Sequence, residues 1–338
     1  MKRQVVFWLA FALMGFAQAQ AVSPQPLANK STAKSPQSIE QWLMRLHDAA
    51  RQSAYVGTFV VTAGSAMSSA RIWHLCEGAE QLERIEALTG APRTTFRRND
   101  QLITFLPQSR VAIVEKRTSL ALFPNLFGRA ESSIAQFYRL KNLGRDRVAG
   151  FLADGVQLMP LDQWRFGYRV WTEQSTGLVV KLQTLDPVQS VLEQAAFSDL
   201  QLTKPFSRAE LGAMMDSTEG YVVKKPELTP TTADQEGWQL KVNVPGFRSV
   251  SCHRRQEAAS VNTSGPLQCV FSDGLASVSL FIEAFDASRH GPAVRHEHIA
   301  MGATHMQTRQ IGAWWVTAVG EAPLPTLRQF TQGLERKM

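Results

Sequence analysis

Residues 146–178 have the sequence DRVAGFLADGVQLMPLDQWRFGYRVWTEQSTGL. Short runs rich in β-branched and aromatic residues alternate there with glycine, proline and polar residues. The runs cover residues 147–152, 156–160, 167–173 and, continuing past the stretch, 178–186. Strands of this length that follow one another without intervening helices are typical of antiparallel sheets. This stretch therefore predicts an antiparallel β architecture.

The same pattern continues outward from this stretch. Further strand-like runs lie at residues 55–63, 69–76, 81–88, 93–98, 101–106, 110–116 and 191–202. Many short strands at this spacing predict a meander that curls into a barrel or half-barrel. The predicted fold class is therefore mainly β with a few packed helices (α+β), and a first domain at residues 36–204.

Two helices are predicted in this half. Apolar residues repeat at helical spacing within residues 36–52, and Ser35 and Pro36 are the expected N-cap and first helical residue. Residues 131–139 are the second predicted helix.

Residues 205–236 are a candidate linker, because prolines interrupt them and residues 229–233 are poor in apolar side chains. A short helix is expected there at residues 208–215. A smaller β-rich domain then follows at residues 237–338. Its predicted strands are 238–244, 247–253, 267–272, 277–285, 303–309 and 313–319, and a helix containing Leu327, Phe330 and Leu334 closes it.

The N-terminus predicts export. Met1-Lys2-Arg3 is a basic start, residues 5–16 are almost entirely apolar, and Ala17-Gln18-Ala19 is a small-x-small cleavage signal. This is the pattern of a secretory signal peptide, cleaved after Ala19 or Ala21. Residues 20–35 are a flexible lead-in. The expected location is a bacterial periplasm, and export argues against a nucleic-acid partner although the formal net charge is +7.

Three cysteines are present. Cys252 and Cys269 lie on two predicted neighbouring strands, so they are a candidate disulfide in an oxidising compartment. Cys76 is interpreted as a buried, inert thiol. No Cys-x-x-Cys pair occurs, which disfavours a disulfide oxidoreductase.

Catalytic motifs for acyl transfer, phosphate binding or zinc proteolysis are absent, so no catalytic residue and no cofactor are predicted. Four histidines, His290, His296, His298 and His305, lie close together in the sequence. They leave a metal-dependent enzyme as a minor hypothesis. They do not have a recognised ligand spacing, and no metal site is assigned.

One region combines basic and apolar residues. Arginines and lysines at positions 93, 97, 98, 110, 116 and 117 form a candidate anion-binding face. An apolar loop follows, and such a loop covers a core, lines a cavity or meets a partner. The predicted lipid-binding residues are Leu120, Leu122, Phe123, Leu126, Phe127, Arg97 and Arg98.

Several motifs resemble one known family. They are Asp146 to Gly150, Pro160 with Asp162, Arg165 to Trp171, Thr176 to Leu178, Tyr55 to Val61, and Val316 to Pro323. Together, and in this order, they resemble the RseB/MucB family of periplasmic regulators of the envelope-stress sigma factor. Val56, Val61 and the stretch from Arg93 to Arg97 depart from the family pattern.

The resemblance implies a larger domain similar to the periplasmic lipoprotein carriers, an unclosed antiparallel barrel, and a smaller β-rich domain. It implies that the protein binds the periplasmic segment of a membrane anti-sigma factor and shields it from proteolysis. Lipopolysaccharide or a related lipid would release it. A lipid or lipoprotein carrier, or a lipopolysaccharide-binding chaperone, is the alternative function, and self-association into a homo-oligomer stays open.

Aromatic and arginine side chains commonly anchor protein interfaces. The predicted partner-binding residues are accordingly Arg165, Tyr168, Trp171, Trp314, Trp315 and Glu321.

Overall fold

The computed structural model describes residues 38–78, 80–116, 123–124, 134–203, 207–256, 265–291 and 298–337. These residues form a twelve-stranded sheet, a seven-stranded sheet and a two-stranded ribbon, with few helices. The mainly β fold class is confirmed. No helix in the described ranges is long and apolar enough to cross a membrane. The predicted signal peptide and lead-in lie outside these ranges.

Helix α1 spans Ile39–Gln52. Its N-cap is Ser38 and not the predicted Ser35, because the Ser38 side chain accepts a hydrogen bond from the backbone N–H of Gln41 at 3.1 Å. The apolar face of the helix, including Trp42, Leu43 and Leu46, is buried as the helical spacing predicts.

Eleven antiparallel strands and one short parallel strand make the large sheet. They are β1 (Tyr55–Ala63), β2 (Ala66–Glu77), β3 (Glu80–Ala87), β4 (Thr94–Arg98), β5 (Gln101–Leu106), β6 (Val111–Lys116), β7 (Tyr138–Val148), β8 (Phe151–Pro160), β9 (Gly167–Glu173), β10 (Val179–Leu185), β11 (Val191–Gln201) and β12 (Val222–Lys224). The order across the sheet is β12-β6-β5-β4-β3-β2-β1-β11-β10-β9-β8-β7, with β12 parallel to β6. The two end strands are not paired with each other, so the sheet is unclosed.

Two predictions in this half are wrong. Residues 147–152 are not a strand, because Ala149 and Gly150 have φ of +48° and +86° and form the turn between β7 and β8. Two successive positive φ angles suit a tight hairpin turn. In the predicted second helix only Ile134–Gln136 is helical, as one 3₁₀ turn, and β7 begins at Tyr138. Residues 131–133 lie outside the described residues.

Different elements cover the two faces of the large sheet. Ile72 and Trp73 are neighbours on β2, so their side chains point to opposite faces. Ile72 belongs to a core that includes α1, whereas Trp73 belongs to a second core that includes Leu211 and Met215. Those two residues lie on helix α2 (Arg208–Asp216), close to the predicted residues 208–215.

The seven-stranded sheet contains β13 (Glu227–Pro230), β15 (Arg248–Gln256), β16 (Leu267–Ser272), β17 (Ser277–Ala284), β18 (His298–Met301), β19 (Thr304–Ile311) and β20 (Trp314–Gly320). The ribbon pairs β14 (Trp238–Leu240) with β21 (Leu334–Arg336). Helices α3 (Ala287–His290) and α4 (Leu324–Gly333) complete the chain. Four of these elements were not predicted from the sequence: β13, β18, β21 and α3.

Helix α4 covers one face of this sheet. Its residues Leu327 and Phe330 belong to the same buried core as alternating residues of β17, including Val278 and Leu280. Cys252 on β15 and Cys269 on β16 are directly opposed, with Cα atoms 4.1 Å apart, and form a disulfide. This cross-link ties two neighbouring strands of the same sheet.

Candidate functional site

The two large sheets meet at the loop of residues 161–166, between β8 and β9. One carboxylate oxygen of Asp162 accepts hydrogen bonds from the Trp164 backbone N–H at 2.9 Å and from Arg165 Nε at 3.1 Å. These bonds close a tight local turn. The turn holds the Arg165 side chain in one orientation, towards the seven-stranded sheet.

Arg165 is the central residue of this junction. It is 1% exposed, although arginine is rarely buried to this extent unless it is paired. Its guanidinium donates to the Pro245 carbonyl at 2.5 Å and lies 3.2 Å from Oδ2 of Asp273. It also stacks over the Phe137 ring at 4.2 Å. One side chain from the loop between β8 and β9 thus contacts two loops that flank strands of the other sheet.

Three further contacts join the same surfaces. Thr326 Oγ1, at the start of α4, donates to the Trp164 carbonyl at 2.7 Å. Phe166 packs edge-on against His305 at 5.5 Å. Gly246 has φ of +81°, and a Cβ atom there would lie 2.7 Å from the Phe137 ring. Close approach therefore requires glycine at this position.

The electrostatics of the junction depend on burial. Asp273 is 1% exposed, and burial raises the pKa of its carboxyl, while the Leu275 N–H, Arg165 and the Ala276 N–H oppose that rise. Those two N–H groups donate to Oδ1 at 2.9 and 2.7 Å. Burial also raises the pKa of the Tyr138 and Tyr168 hydroxyls. Loss of Arg165 would therefore leave a buried, uncompensated charge on Asp273 and destabilise the folded protein.

A second acidic group lies beside these contacts. Burial raises the pKa of Glu321, and the nearby charge of Glu193 raises it further. Burial also raises the pKa of Glu193, which accepts a hydrogen bond from the Ala303 N–H. Glu193 is on β11 of the large sheet, whereas Ala303 immediately precedes β19 of the other sheet. Two partly desolvated carboxyls therefore face each other across the junction.

The structure brings three of the predicted partner-binding residues together. Arg165 is in the junction, and Tyr168 is near enough to Glu321 and Asp273 for both charges to raise its pKa. Arg165 and Tyr168 are buried in internal contacts. These two side chains could contact a partner directly, as predicted, only after leaving their internal contacts.

The three predicted tryptophans lie in different places. Trp171 is on β9 with the Lys181 ammonium 4.3 Å above its ring. Trp314 packs edge-on against Trp238, and Trp315 stacks on His290. Because Trp314 and Trp315 are adjacent on β20, their side chains occupy opposite faces of the sheet. The three do not form one surface.

The predicted lipid-binding residues divide in three. Leu120, Leu122, Leu126 and Phe127 lie outside the described residues. Phe123 is 3% exposed and packs against Phe59 and Phe197, so it fills the core beneath α1. Arg97 is buried and its Nε donates to Glu83 at 2.7 Å. Arg98 pairs with Asp216 on α2 at 3.0 Å. The two arginines therefore do not form an open anion-binding face in this state.

Within the described residues, His290, His298, His305 and Cys76 do not form a metal site. In the described part of the chain, no group of three histidine, cysteine, aspartate or glutamate side chains could hold a metal ion. His298 and His305 lie 5.1 Å apart and edge-on, and His290 pairs with Glu283. His296 lies outside the described residues. Cys76 is a partly exposed free thiol, not the buried one that the sequence suggested.

No sequence pattern predicted three residues of the junction, Phe137, Pro245 and Asp273. The spacing of Asp162 and Arg165 is a local signal for the orientation of the Arg165 side chain, because an aspartate can accept a hydrogen bond from an arginine three residues later. The pairing of Arg165 with Asp273 spans more than 100 residues and has no local signal in the sequence.

The fold and the junction define a class. This is a mainly β protein in which an unclosed twelve-stranded sheet is joined to a second sheet through buried ionic contacts. The particular family follows from comparison: residues 38–215 match the model of the MucB/RseB N-terminal domain, and residues 232–335 match that of the MucB/RseB C-terminal domain. The chain belongs to the MucB/RseB family.

Named relatives agree with this assignment. The chain is similar to the sigma factor AlgU regulatory protein MucB of Pseudomonas aeruginosa, with 30% identity over 295 residues, 84% of this chain and 87% of the relative. It is 22% identical to the sigma-E factor regulatory protein RseB of Escherichia coli over 301 residues, 87% and 89% of the two chains. A crystal structure of MucB in complex with MucA(peri) matches 89% of this chain and 100% of that chain, with TM-score 0.68 and 25% identity.

Proposed function

We propose that this protein is a periplasmic regulator that binds the periplasmic segment of a membrane-embedded anti-sigma factor. Binding shields that segment from regulated proteolysis and so restrains the envelope-stress response. The observation that carries the proposal is the ordered match of both family domains, together with the similarity to MucB in its complex with MucA(peri).

Shielding requires no catalysis. A protease must hold its substrate as an extended strand in its own cleft, so a segment held against another protein is not cleaved. The protein therefore has to bind tightly enough to compete with the protease. It needs a surface of fixed shape, and the buried contacts around Arg165 fix the position of one sheet against the other.

The junction also supports the proposed response to lipid. A lipid lowers the affinity for the segment only if it binds better to a state that binds the segment poorly. Arg165 and Asp273 form a buried ion pair among the contacts that join the two sheets. The sheets can have a second arrangement in which this pair and the contacts around it are separated. We place the anti-sigma segment across the two sheets, so that this separation would weaken its binding. Lipopolysaccharide or a related lipid is the proposed releasing signal.

Calorimetric titration tests this proposal. The protein lacking residues 1–19 is titrated with the periplasmic segment of its host's anti-sigma factor, with and without lipopolysaccharide. We expect a one-to-one complex that lipopolysaccharide weakens. The Arg165→Met variant should bind more weakly, whereas Arg139→Met, an exposed residue on β7, should bind as the wild type does.

Each other outcome has a defined meaning. Absence of binding by protein with a normal circular dichroism spectrum would refute the proposal. Transfer of acyl lipid to an acceptor without any binding of the segment would favour a lipid carrier instead. If Arg165→Met does not fold, Glu321→Gln tests the junction with a smaller change: it removes one of the two facing carboxyls, so the variant should bind the segment at least as tightly as the wild type does.

A further inference from the structure

A buried polar cluster lies at the C-terminal end of α1, away from the junction. Its members are His74 on β2, Glu83 on β3, Arg97 on β4 and Tyr55 on β1, all at most 3% exposed. Four ionisable side chains from adjacent strands are thus enclosed together. The proposed binding function uses none of them.

Two side chains hold the end of α1 through its backbone. His74 Nδ1 lies 2.7 Å from the carbonyl oxygen of Ser53, the C-cap residue of α1. A carbonyl only accepts hydrogen bonds, so Nδ1 carries the proton. Gln81 Nε2 donates to the Arg51 carbonyl at 3.2 Å. Carbonyl groups at the C-terminal end of a helix have no hydrogen-bond donor within the helix. Here His74 and Gln81, on the sheet, donate to them.

Among the described residues, the other ring nitrogen of His74, Nε2, has no hydrogen-bond partner. With the proton on Nδ1, Nε2 of the neutral ring is an acceptor. It faces Oε1 of Glu83, which is also an acceptor, at 3.5 Å. Oε2 of Glu83 already accepts from Arg97 Nε at 2.7 Å. The neutral ring therefore gains no hydrogen bond from Glu83.

Protonation of His74 would place a second cation in this enclosure. Burial lowers the pKa of the ring, the cations Arg97 on β4 and Arg51 on α1 lower it further, and Glu83 and the Ser53 carbonyl oppose this. The remaining neighbour, Tyr55 on β1, stacks on the ring at 5.0 Å and is neutral. Burial is the largest of these effects and outweighs the attraction of Glu83, so enclosure disfavours the protonated ring.

We infer that His74 is an acid-sensitive latch on helix α1, which holds the C-terminal end of the helix at neutral pH and releases it increasingly as the medium acidifies. Release transfers the ring to water, where it takes up a proton more readily than it does in the latch. Acid consequently favours the released state by linkage. The helix covers the apolar core that contains Trp42 and Phe123. Release gives solvent access to that core.

Linkage sets the size of the effect. A histidine in water has a pKa of about 6.5, so between pH 7 and pH 5 its protonation multiplies the opening constant by up to about 25-fold. The opening constant rises by the full factor of about 25 only if the His74 ring stays neutral in the folded protein over this pH range. The sign is fixed: the opening constant rises as pH falls through the range below about 6.5.

Native-state hydrogen exchange on the whole protein tests the latch. Exchange is followed at pH 7, 6 and 5, and each rate is corrected for its intrinsic pH dependence. Amides near the end of α1, such as Ser53, which donates to the Ala49 carbonyl, should show an opening constant that rises 10- to 25-fold. Amides of α2, which contains no histidine, are the internal control and should change less than threefold.

Two variants complete the test. His74→Gln should abolish the pH dependence at α1, and His253→Gln on β15 should leave it unchanged. An equal rise in α1 and α2, or persistence of the rise in His74→Gln, would overturn the inference. If His74→Gln does not fold, the NMR titration of His74 in the wild type decides: a midpoint at or above 6.5 refutes the latch. These measurements use the protein alone, so their outcome is independent of anti-sigma binding.

Discussion

Removal of the Arg165 guanidinium is the most informative perturbation of the junction. Arg165→Met retains a long apolar side chain and deletes the contacts to Asp162, Pro245 and Asp273. It leaves the buried Asp273 carboxylate without its counter-ion. Removal of one partner of a buried pair costs about 3–5 kcal/mol, so we expect a decrease of this size in the free energy of unfolding at pH 7.

Urea denaturation followed by tryptophan fluorescence measures this cost. Arg139→Met, on the exposed edge of β7, is the control and should change the stability by less than about 0.5 kcal/mol. Addition of Asp273→Asn to Arg165→Met removes the stranded charge and retains the oxygen that accepts from Leu275 and Ala276. The double variant should therefore be more stable than Arg165→Met.

The pH dependence provides a second check. Burial already raises the pKa of Asp273, and loss of Arg165 must raise it further. The carboxyl of the variant can then become neutral in mild acid, so the cost of Arg165→Met should be smaller at pH 5 than at pH 7. A cost below about 1 kcal/mol at pH 7, or a double variant no more stable than Arg165→Met, would refute the proposed role of this ion pair.

Three further predictions follow from described contacts. The double variant Cys252→Ser, Cys269→Ser removes a cross-link between residues 17 apart and should lower the free energy of unfolding by about 3 kcal/mol. Urea denaturation measures this decrease, and thiol counting by mass spectrometry checks the cross-link. A wild type with three free thiols would contradict the prediction. Gly246→Ala should destabilise more than Gly220→Ala: both positions have positive φ, but only at Gly246 would the new methyl group meet the Phe137 ring. Equal thermal midpoints of these two variants would show that the close approach is unimportant. Glu321 has a raised pKa, so the folded protein binds its proton more tightly than the unfolded chain and this group's contribution to stability falls as pH rises above about 4.5. Glu321→Gln should accordingly raise the melting midpoint at pH 7 and leave it nearly unchanged at pH 4; a lower midpoint at pH 7 would contradict this.

Local periodicity was sufficient for most of the secondary structure. The predicted run at residues 55–63 coincides with β1, and the apolar repeat of Ile39, Trp42 and Leu46 gave the buried face of α1. The failure at residues 147–152 has a physical cause. Two positive φ angles at Ala149 and Gly150 turn the chain within a run of strand formers, and alanine does not signal such a turn.

The arrangement of the site was less accessible from the sequence. The sequence predicts Arg165 as a partner-binding residue. In the structure it lies between the two sheets, because Asp273 and Pro245 approach it from distant parts of the chain. Sequence position alone predicts that Arg97 and Arg98 share one face, but neighbours on a strand point to opposite faces. Arg97 therefore meets Glu83 inside while Arg98 meets Asp216 on α2.

The most direct test of the central claim is a protection assay. The periplasmic segment of the host's anti-sigma factor is incubated with the protease that first cleaves it, with and without an excess of the protein lacking residues 1–19. We predict that the protein slows cleavage at least tenfold and that added lipopolysaccharide restores the rate. An unchanged cleavage rate, with the folded protein in excess and no lipid present, would contradict the account.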